Sequence, residues 1–219
     1  MKAVIFDVDG TLIDSVEMIW EKHKKIAGLL GLKVPSKRGF LSKVGKPWET
    51  IIRELWPGIK PHEFMDFYRE NVSYLLIPAV DGTSETLQSL KKNYRIAIMT
   101  SKDSQTLFRH LLDAGIDKSV FDIIHHENSL RNHKPHPDAL FQVCEELGIK
   151  PQEAVYVGDS VIDAQCAISA GVNFIGVLTG AADKEDFEKL GVKSVGSIKD
   201  VPGFIRIRKA YLSNRTQFH

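Results

Sequence analysis

Cysteine is scarce in this chain, neither charge is in surplus and no apolar run is long; each shortage removes a class of protein. Two cysteines, Cys144 and Cys166, stand in 219 residues. That is too few for a disulfide framework, and both lie where the spacing predicts helices, so they read as small core residues. Lysine and arginine number 29 against 28 aspartates and glutamates, a net charge of +1, which gives no general affinity for nucleic acid or membrane surfaces. No stretch has the length of a membrane span. The opening apolar run is interrupted at Asp7 and lacks the pattern of a signal peptide, so the expectation is a soluble, cytoplasmic protein. With 43% apolar and 26% charged residues, a chain of this length buries a sizeable core unaided.

What is present is concentrated at the start. In KAVIFDVDGTLIDS, residues 2–15, a strand-forming run ends in Asp7 and Asp9, followed by Gly10 and Thr11. Val8 between them points into the sheet, so period-two geometry puts both carboxylates on one side of the strand end. Two carboxylates so close repel unless a cation or a shared proton lies between them.

Residues 15–79 carry only helical patterns: 15–31, with Ser15 as N-cap and Gly31 as stop, then about 46–56 and 61–76. About 65 residues without a strand is too long for a loop in a compact domain. From residue 79 strands and helices alternate. Strands are predicted at 95–100, 121–125, 154–160, 173–179 and 192–197, and helices at 104–116, 137–149, 161–171 and 183–191. Alternation of this kind implies a parallel sheet with right-handed crossovers. The fold class is therefore α/β, a doubly wound parallel-sheet (Rossmann-like) core of residues 1–14 and 80–219, interrupted by an all-helical cap of residues 15–79. The cap has eleven basic against seven acidic side chains. A basic cap over an acidic strand-end site suits an anionic substrate.

Parallel strands bring their C-terminal ends to one edge, where further reactive groups converge. Thr100 and Ser101 are a hydroxyl pair expected at a helix start, Lys134 precedes Pro135, His136 and Pro137, and Asp159 lies four residues before Asp163. Taken singly, Thr100 would be a helix N-cap, Lys134 a solvated lysine and Asp163 a structural brace. Together they form a set of carboxylates, a hydroxyl and a lysine. Acidic oxygens of this kind suit Mg²⁺.

Four motifs in order, DVDGT, the Thr of IMTS, the Lys of KPHP and GDSVID, resemble those of the haloacid dehalogenase-like superfamily, and the resemblance covers the whole chain. The helical insert is similar to the cap of the phosphoglycolate phosphatase and β-phosphoglucomutase branch. The second aspartate, Asp9, points to phosphoryl transfer rather than dehalogenation. The resemblance implies Asp7 as nucleophile and Asp9 as acid and base. It places Mg²⁺ on Asp7, the Asp9 carbonyl and Asp159, with Asp163 as a further ligand or brace. Thr100, Lys134 and the backbone of Gly10 and Ser101 would hold the phosphoryl group. It implies a Mg²⁺-dependent phosphatase for a small phosphorylated metabolite, phosphoglycolate-like, acting as a monomer or homodimer without nucleic acid or membrane.

The cap carries the substrate preference. Lys46, in the turn VGKPW, is the candidate that approaches the substrate, with Arg53 and Lys43 nearby. A sugar-phosphate mutase is the nearest rival, and nucleotides or pyrophosphate remain possible substrates of a hydrolase. The mutase pattern would have a histidine at position 19; Ile19 stands there, and His23 one turn later. A non-catalytic phosphate-binding protein is a further class, against which the intact set of Asp7, Asp9, Thr100, Lys134 and Asp159 argues. His125, His126, His133 and His136 fit no common face and read as loop histidines rather than ligands. Residues 205–219 form a basic, weakly helical tail.

Overall fold

The protein is described from a computed structural model over residues 1–207. Most of the basic tail, from residue 208 on, lies outside the described residues. Six strands form one sheet: β1 (Ala3–Phe6), β2 (Arg95–Met99), β3 (Ile123–His125), β4 (Ala154–Gly158), β5 (Asn173–Val177) and β6 (Lys193–Val195). All neighbours pair in parallel, in the order β3-β2-β1-β4-β5-β6. The order reverses between β1 and β4, and open α/β sheets bind ligands at that point, beyond the carboxyl ends of the strands.

The central strands β1, β2, β4 and β5 are buried on both faces, as parallel strands are when helices cover each side, whereas β3 and β6 are partly exposed edges. Successive residues of β1 serve opposite cores. Val4 and Phe6 join Ile96, Ile98, Val155 and Val157 on one face, whereas Ala3 and Ile5 join Ala97, Met99 and Tyr156 on the other. The first face is covered by α5 (Thr83–Lys91) and α6 (Ser104–Asp113), through Leu87, Leu90, Leu107 and Leu111. Residues 201–207, also helical, add Val201 and Ile205. On the second face lie α7 (Asp138–Glu146), α8 (Val161–Ala170) and α9 (Lys184–Lys189), with Leu140, Val143, Ala164, Ala167 and Phe187 inward. Cys144 and Cys166 are free thiols in this second core. No described helix is long and apolar enough to cross a membrane.

Between β1 and α5 the chain forms α1 (Val16–Leu29), α2 (Lys37–Leu41), α3 (Trp48–Leu55) and α4 (Pro61–Asn71). These four have an apolar cluster of their own, built from Ile19, Trp20, Ile26, Phe40, Ile51, Ile52, Trp56 and Phe64. Phe40 and Phe64 are fully buried in it, each contributing roughly 1.5–3 kcal/mol of burial free energy. The segment joins the sheet through a two-stranded neck, in which the Asp14 amide donates to the Pro78 carbonyl at 2.9 Å and the Val80 amide to the Leu12 carbonyl at 3.0 Å.

Several boundaries differ from the sequence reading. Ser15 precedes α1 but makes no side-chain cap; its hydroxyl donates to Asp9 instead. The last helix of the segment ends at Asn71 rather than 76, because Val72 is already extended and the chain must run back to pair Ala79 with Ile13. The short α2 and the amphipathic α5 were absent from the expected pattern. The segment 100–103 is loop rather than helix start, since α6 is capped by Asp103, which accepts from the Thr106 amide.

Candidate active site

The apolar run of β1 ends at Phe6, and the chain turns at once. The amides of Thr11, Leu12 and Ile13 all donate to the Val8 carbonyl, and Val8 is buried in the core beneath, so Asp7 and Asp9 are held above it. Gly10 has φ +68°, a conformation that favours glycine. A Cβ there would also lie 2.5 Å from Asp159 Oδ2, so this glycine lets the first loop close against the end of β4.

Asp7, Asp159 and Asp163 offer carboxylate oxygens within 4.8 Å of one another, all buried. Lys134 lies among them, with Nζ 3.0 Å from Asp7 Oδ1 and 2.8 Å from Asp163 Oδ1. Three carboxylates and one ammonium leave the cluster short of positive charge. Burial, then the repulsion of Asp163 and Asp9, pushes the Asp7 carboxyl up to about 7 despite Lys134. Burial, Asp163 and Asp7 likewise raise Asp159 well above the carboxylate range. Burial works against the Lys134 charge, but Asp163 and Asp7 outweigh it and raise its pKa. The ion pair to Asp7 lies outside hydrogen-bond geometry, so Asp7 Oδ1 is a buried oxygen without a hydrogen-bond donor. A hard divalent cation fits this oxygen set and would relieve the repulsion.

The two later aspartates differ. Asp159 accepts from the Ala181 amide at 2.7 Å and from Thr11 Oγ1 at 3.4 Å, which leaves lone pairs free. Asp163 has both oxygens engaged: Oδ1 by Lys134 and Tyr156, Oδ2 by the Ser160 amide and hydroxyl. It closes a capping box on α8 and braces the lysine.

Asp9 is held separately. Ser15 Oγ donates to Oδ1 at 2.6 Å and Lys102 Nζ lies 3.0 Å from Oδ2. Burial pushes this carboxyl up, but Lys102 and the Ser15 hydrogen bond outweigh it and leave its pKa below the usual value. The neighbouring aspartates are therefore pushed in opposite directions.

Asp7, Asp9, Thr100, Ser101 and Lys134 all line one cavity of about 20 Å³, room for little more than a water molecule. Its roof comes from the helical segment: Ile19, Val44, Gly45, Lys46, Trp48 and Ile51. Thr100 is not an N-cap, and its hydroxyl accepts only the Lys102 amide, at 3.4 Å. Ser101 Oγ donates to the Gly45 carbonyl at 2.6 Å, which ties roof to floor. Lys46 reaches the cavity but its ammonium is 2.5 Å from Glu54 Oε1. Lys43 shares that glutamate and Arg53 pairs with Glu49 on the surface; neither lines the cavity.

Three participants were missed from sequence. Lys102 directly follows the predicted hydroxyl pair, Ser15 was assigned to a cap, and Tyr156 stands in a buried strand where a phenol needs a partner. Its hydroxyl bonds Asp163 at 2.7 Å and lies 3.2 Å from Lys134 Nζ. The aspartate triad is the one cluster of three or more metal-binding side chains among the described residues. His136 accepts from the Asp138 amide in its loop, whereas His125 is no loop residue: it ends β3, is buried, and lies 3.0 Å from Glu146.

Residues 4–177 match the family described as haloacid dehalogenase-like hydrolase. A phosphoglycolate phosphatase of Pseudomonas putida is 31% identical over 193 residues, 82% of this chain and 70% of that one. The pyrophosphatase PpaX of Bacillus cereus is 30% identical over 183 residues, covering 78% of this chain and 81% of its own. The crystal structure of a hydrolase from Pseudomonas syringae shares the fold with a TM-score of 0.83 at 23% identity, over 94% of this chain and 97% of that one.

Proposed function

The chain belongs to the haloacid dehalogenase-like hydrolase family, and on that premise we propose that it is a phosphatase acting on a small phosphorylated metabolite through an aspartyl-phosphate on Asp7. The observation that carries this reading is the charge-deficient buried cluster of Asp7, Asp159, Asp163 and Lys134 beneath the cavity that Asp9 shares. Dephosphorylating relatives and the reversal of strand order at β1 and β4 support it. Residues 15–79 act as a cap, hinged at the neck between Asp14 and Pro78.

In the first step an Asp7 oxygen attacks phosphorus as the ester P–O bond breaks, and the leaving oxygen takes a proton from Asp9. In the second, water attacks phosphorus, Asp9 takes its proton, and the acyl-phosphate P–O bond breaks to release phosphate and restore Asp7. Lys102 holds Asp9 as the carboxylate, the form that accepts a proton; donation requires that Lys102 turn first to the incoming anion. Thr100 and the Ser101 amide orient the phosphoryl oxygens, and Lys134 offsets charge on them and on Asp7; the Gly10 amide, expected to join them, instead donates to the Ile13 carbonyl at 2.9 Å and closes the turn. Asp7, the Asp9 carbonyl and Asp159 would hold Mg²⁺, with Asp163 as the brace. Mg²⁺, when bound, supplies the positive charge that the cluster lacks and that a phosphoryl dianion requires.

The apolar Ile19 lines the cavity where a mutase would need a base, which favours hydrolysis. Phosphate release across phosphoglycolate, pyrophosphate, hexose phosphates and nucleotides, with Mg²⁺ and with excess chelator, tests the reading. Release that depends on Mg²⁺ and disappears in Asp7→Asn supports it. Release that persists in chelator sinks the metal role.

A further inference from the structure

A 20 Å³ cavity holds no alcohol, so the leaving group lies elsewhere. A second cavity of about 410 Å³ opens between α1 and α4 on one side and α6 on the other. It adjoins the first, since Ile19, Trp48 and Lys102 line both. Its volume falls among those of pockets for ligands of drug size, about 300–1,000 Å³. A two-carbon acid or a lone phosphate would leave most of it to water.

The walls are cationic and aromatic. Lys22 and Arg109 line the chamber, and among the described residues neither has an acidic partner. Burial, then the charge of Lys102, lowers the Lys22 pKa, as expected of an ammonium awaiting an anion. Arg109 is fixed by Tyr74, its guanidinium carbon 3.4 Å from the ring centroid, which leaves its N–H edge free to donate.

We propose that the leaving group of the substrate is of sugar or nucleoside size and carries a second anionic group, which lies on Lys22 and Arg109. Resting on the phosphatase reading, this narrows the substrate to a phosphomonoester that is itself a bisphosphate or carboxylate. It sets glycolate and inorganic phosphate aside as leaving groups.

The experiment compares matched pairs: a hexose monophosphate with its bisphosphate, and a nucleoside 5′-monophosphate with the 3′,5′-bisphosphate. Phosphoglycolate, pyrophosphate and p-nitrophenyl phosphate are run beside them. The bisphosphate member is expected to show kcat/KM at least about 10-fold higher, the size of one charge-assisted contact. Lys22→Ala with Arg109→Ala should erase that ratio. Turnover of p-nitrophenyl phosphate with equal rates within each pair, or with phosphoglycolate or pyrophosphate far ahead, would overturn the chamber while sparing the phosphatase. No turnover of any ester would overturn the phosphatase reading. Calorimetric binding of the same bisphosphates then decides the chamber, since a Kd that Lys22→Ala leaves unchanged overturns it.

Discussion

The sheet edge and the helical segment bury their side chains for opposite purposes. At the edge, Asp7, Lys134, Asp159 and Asp163 are buried polar groups gathered in one cluster, with Thr100 buried nearby, on loops and the first turn of α8 beyond the strand ends. In the segment the interior is aromatic and aliphatic, and its basic residues are spent largely on surface pairs such as Lys24 with Glu21 and Arg69 with Asp66. Surface pairs of that kind are worth about 0–1 kcal/mol each, so the eleven basic residues of the segment do not amount to a basic roof. The buried polar groups belong to the sheet edge, and among the described residues the segment contributes walls and a few unpaired cations.

The largest effect should come from removing the proposed nucleophile. Asp7→Asn is expected to cut phosphate release at least about 10³-fold, yet it takes one charge from a cluster with too many, so thermal unfolding should occur no earlier than in wild type. Wild-type-like turnover would place the chemistry elsewhere. Lys134→Ala removes the only ammonium in the cluster and should cost about 3–5 kcal/mol in denaturant unfolding. A loss under about 1 kcal/mol would show that the carboxylates do not depend on it.

The two regions should answer to acid in opposite senses. Asp7, raised to about 7 at the edge, takes up its proton in the folded protein and gains stability as pH falls, whereas His23 in the segment loses it. All three tryptophans, Trp20, Trp48 and Trp56, lie in the segment, so tryptophan fluorescence, excited selectively over tyrosine, reports from this region. His23 is stacked 4.4 Å from Trp48, and burial holds its pKa down to about 4 against an ordinary 6.5. A depressed histidine leaves stability intact above pH 6.5; below it the unfolded chain binds the extra proton, and stability falls until the pH reaches about 4. The fluorescence midpoint should therefore fall by up to about 1.4 kcal/mol per pH unit in that window, and His23→Leu should flatten the slope. An unaltered slope in His23→Leu would assign the acid sensitivity to other groups.

The smallest effect tests the contact between the regions. Gly45 has φ +104°, and a Cβ would meet Ser160 Oγ at 2.9 Å. Gly45→Ala should cost about 1–3 kcal/mol of local strain, felt as weaker closure and a raised KM with kcat little changed. A drop in kcat at constant KM would mean that the roof takes part in the chemistry.

The two regions were also unequally legible. Asp7, Asp9, Thr100, Lys134, Asp159 and Asp163 could be brought to one edge from sequence, because a strand has one C-terminal end and parallel pairing aligns those ends. The six strands were placed to within a few residues for the same reason, their apolar runs being short and bounded by polar residues or glycine. Lys102 and Tyr156 escaped notice because their roles depend on partners 93 and seven residues away, which no local pattern records. The Ser-x-x-Asp spacing of Ser160 and Asp163 did carry a signal, a helix-capping box, that favoured the brace over the ligand.

By itself, then, the sequence determined the layer order, the edge at which the reactive groups collect and the acidic character of the cluster, all consequences of period and spacing along one chain. Only the tertiary structure decided that Asp7 and Asp9 are pushed in opposite directions. Only there does Lys46 face Glu54 while, among the described residues, Lys22 and Arg109 stand without acidic partners beside a large chamber. Those outcomes depend on burial and on which charge lies within a few ångströms, and both are set by which segments far apart in the chain are packed together.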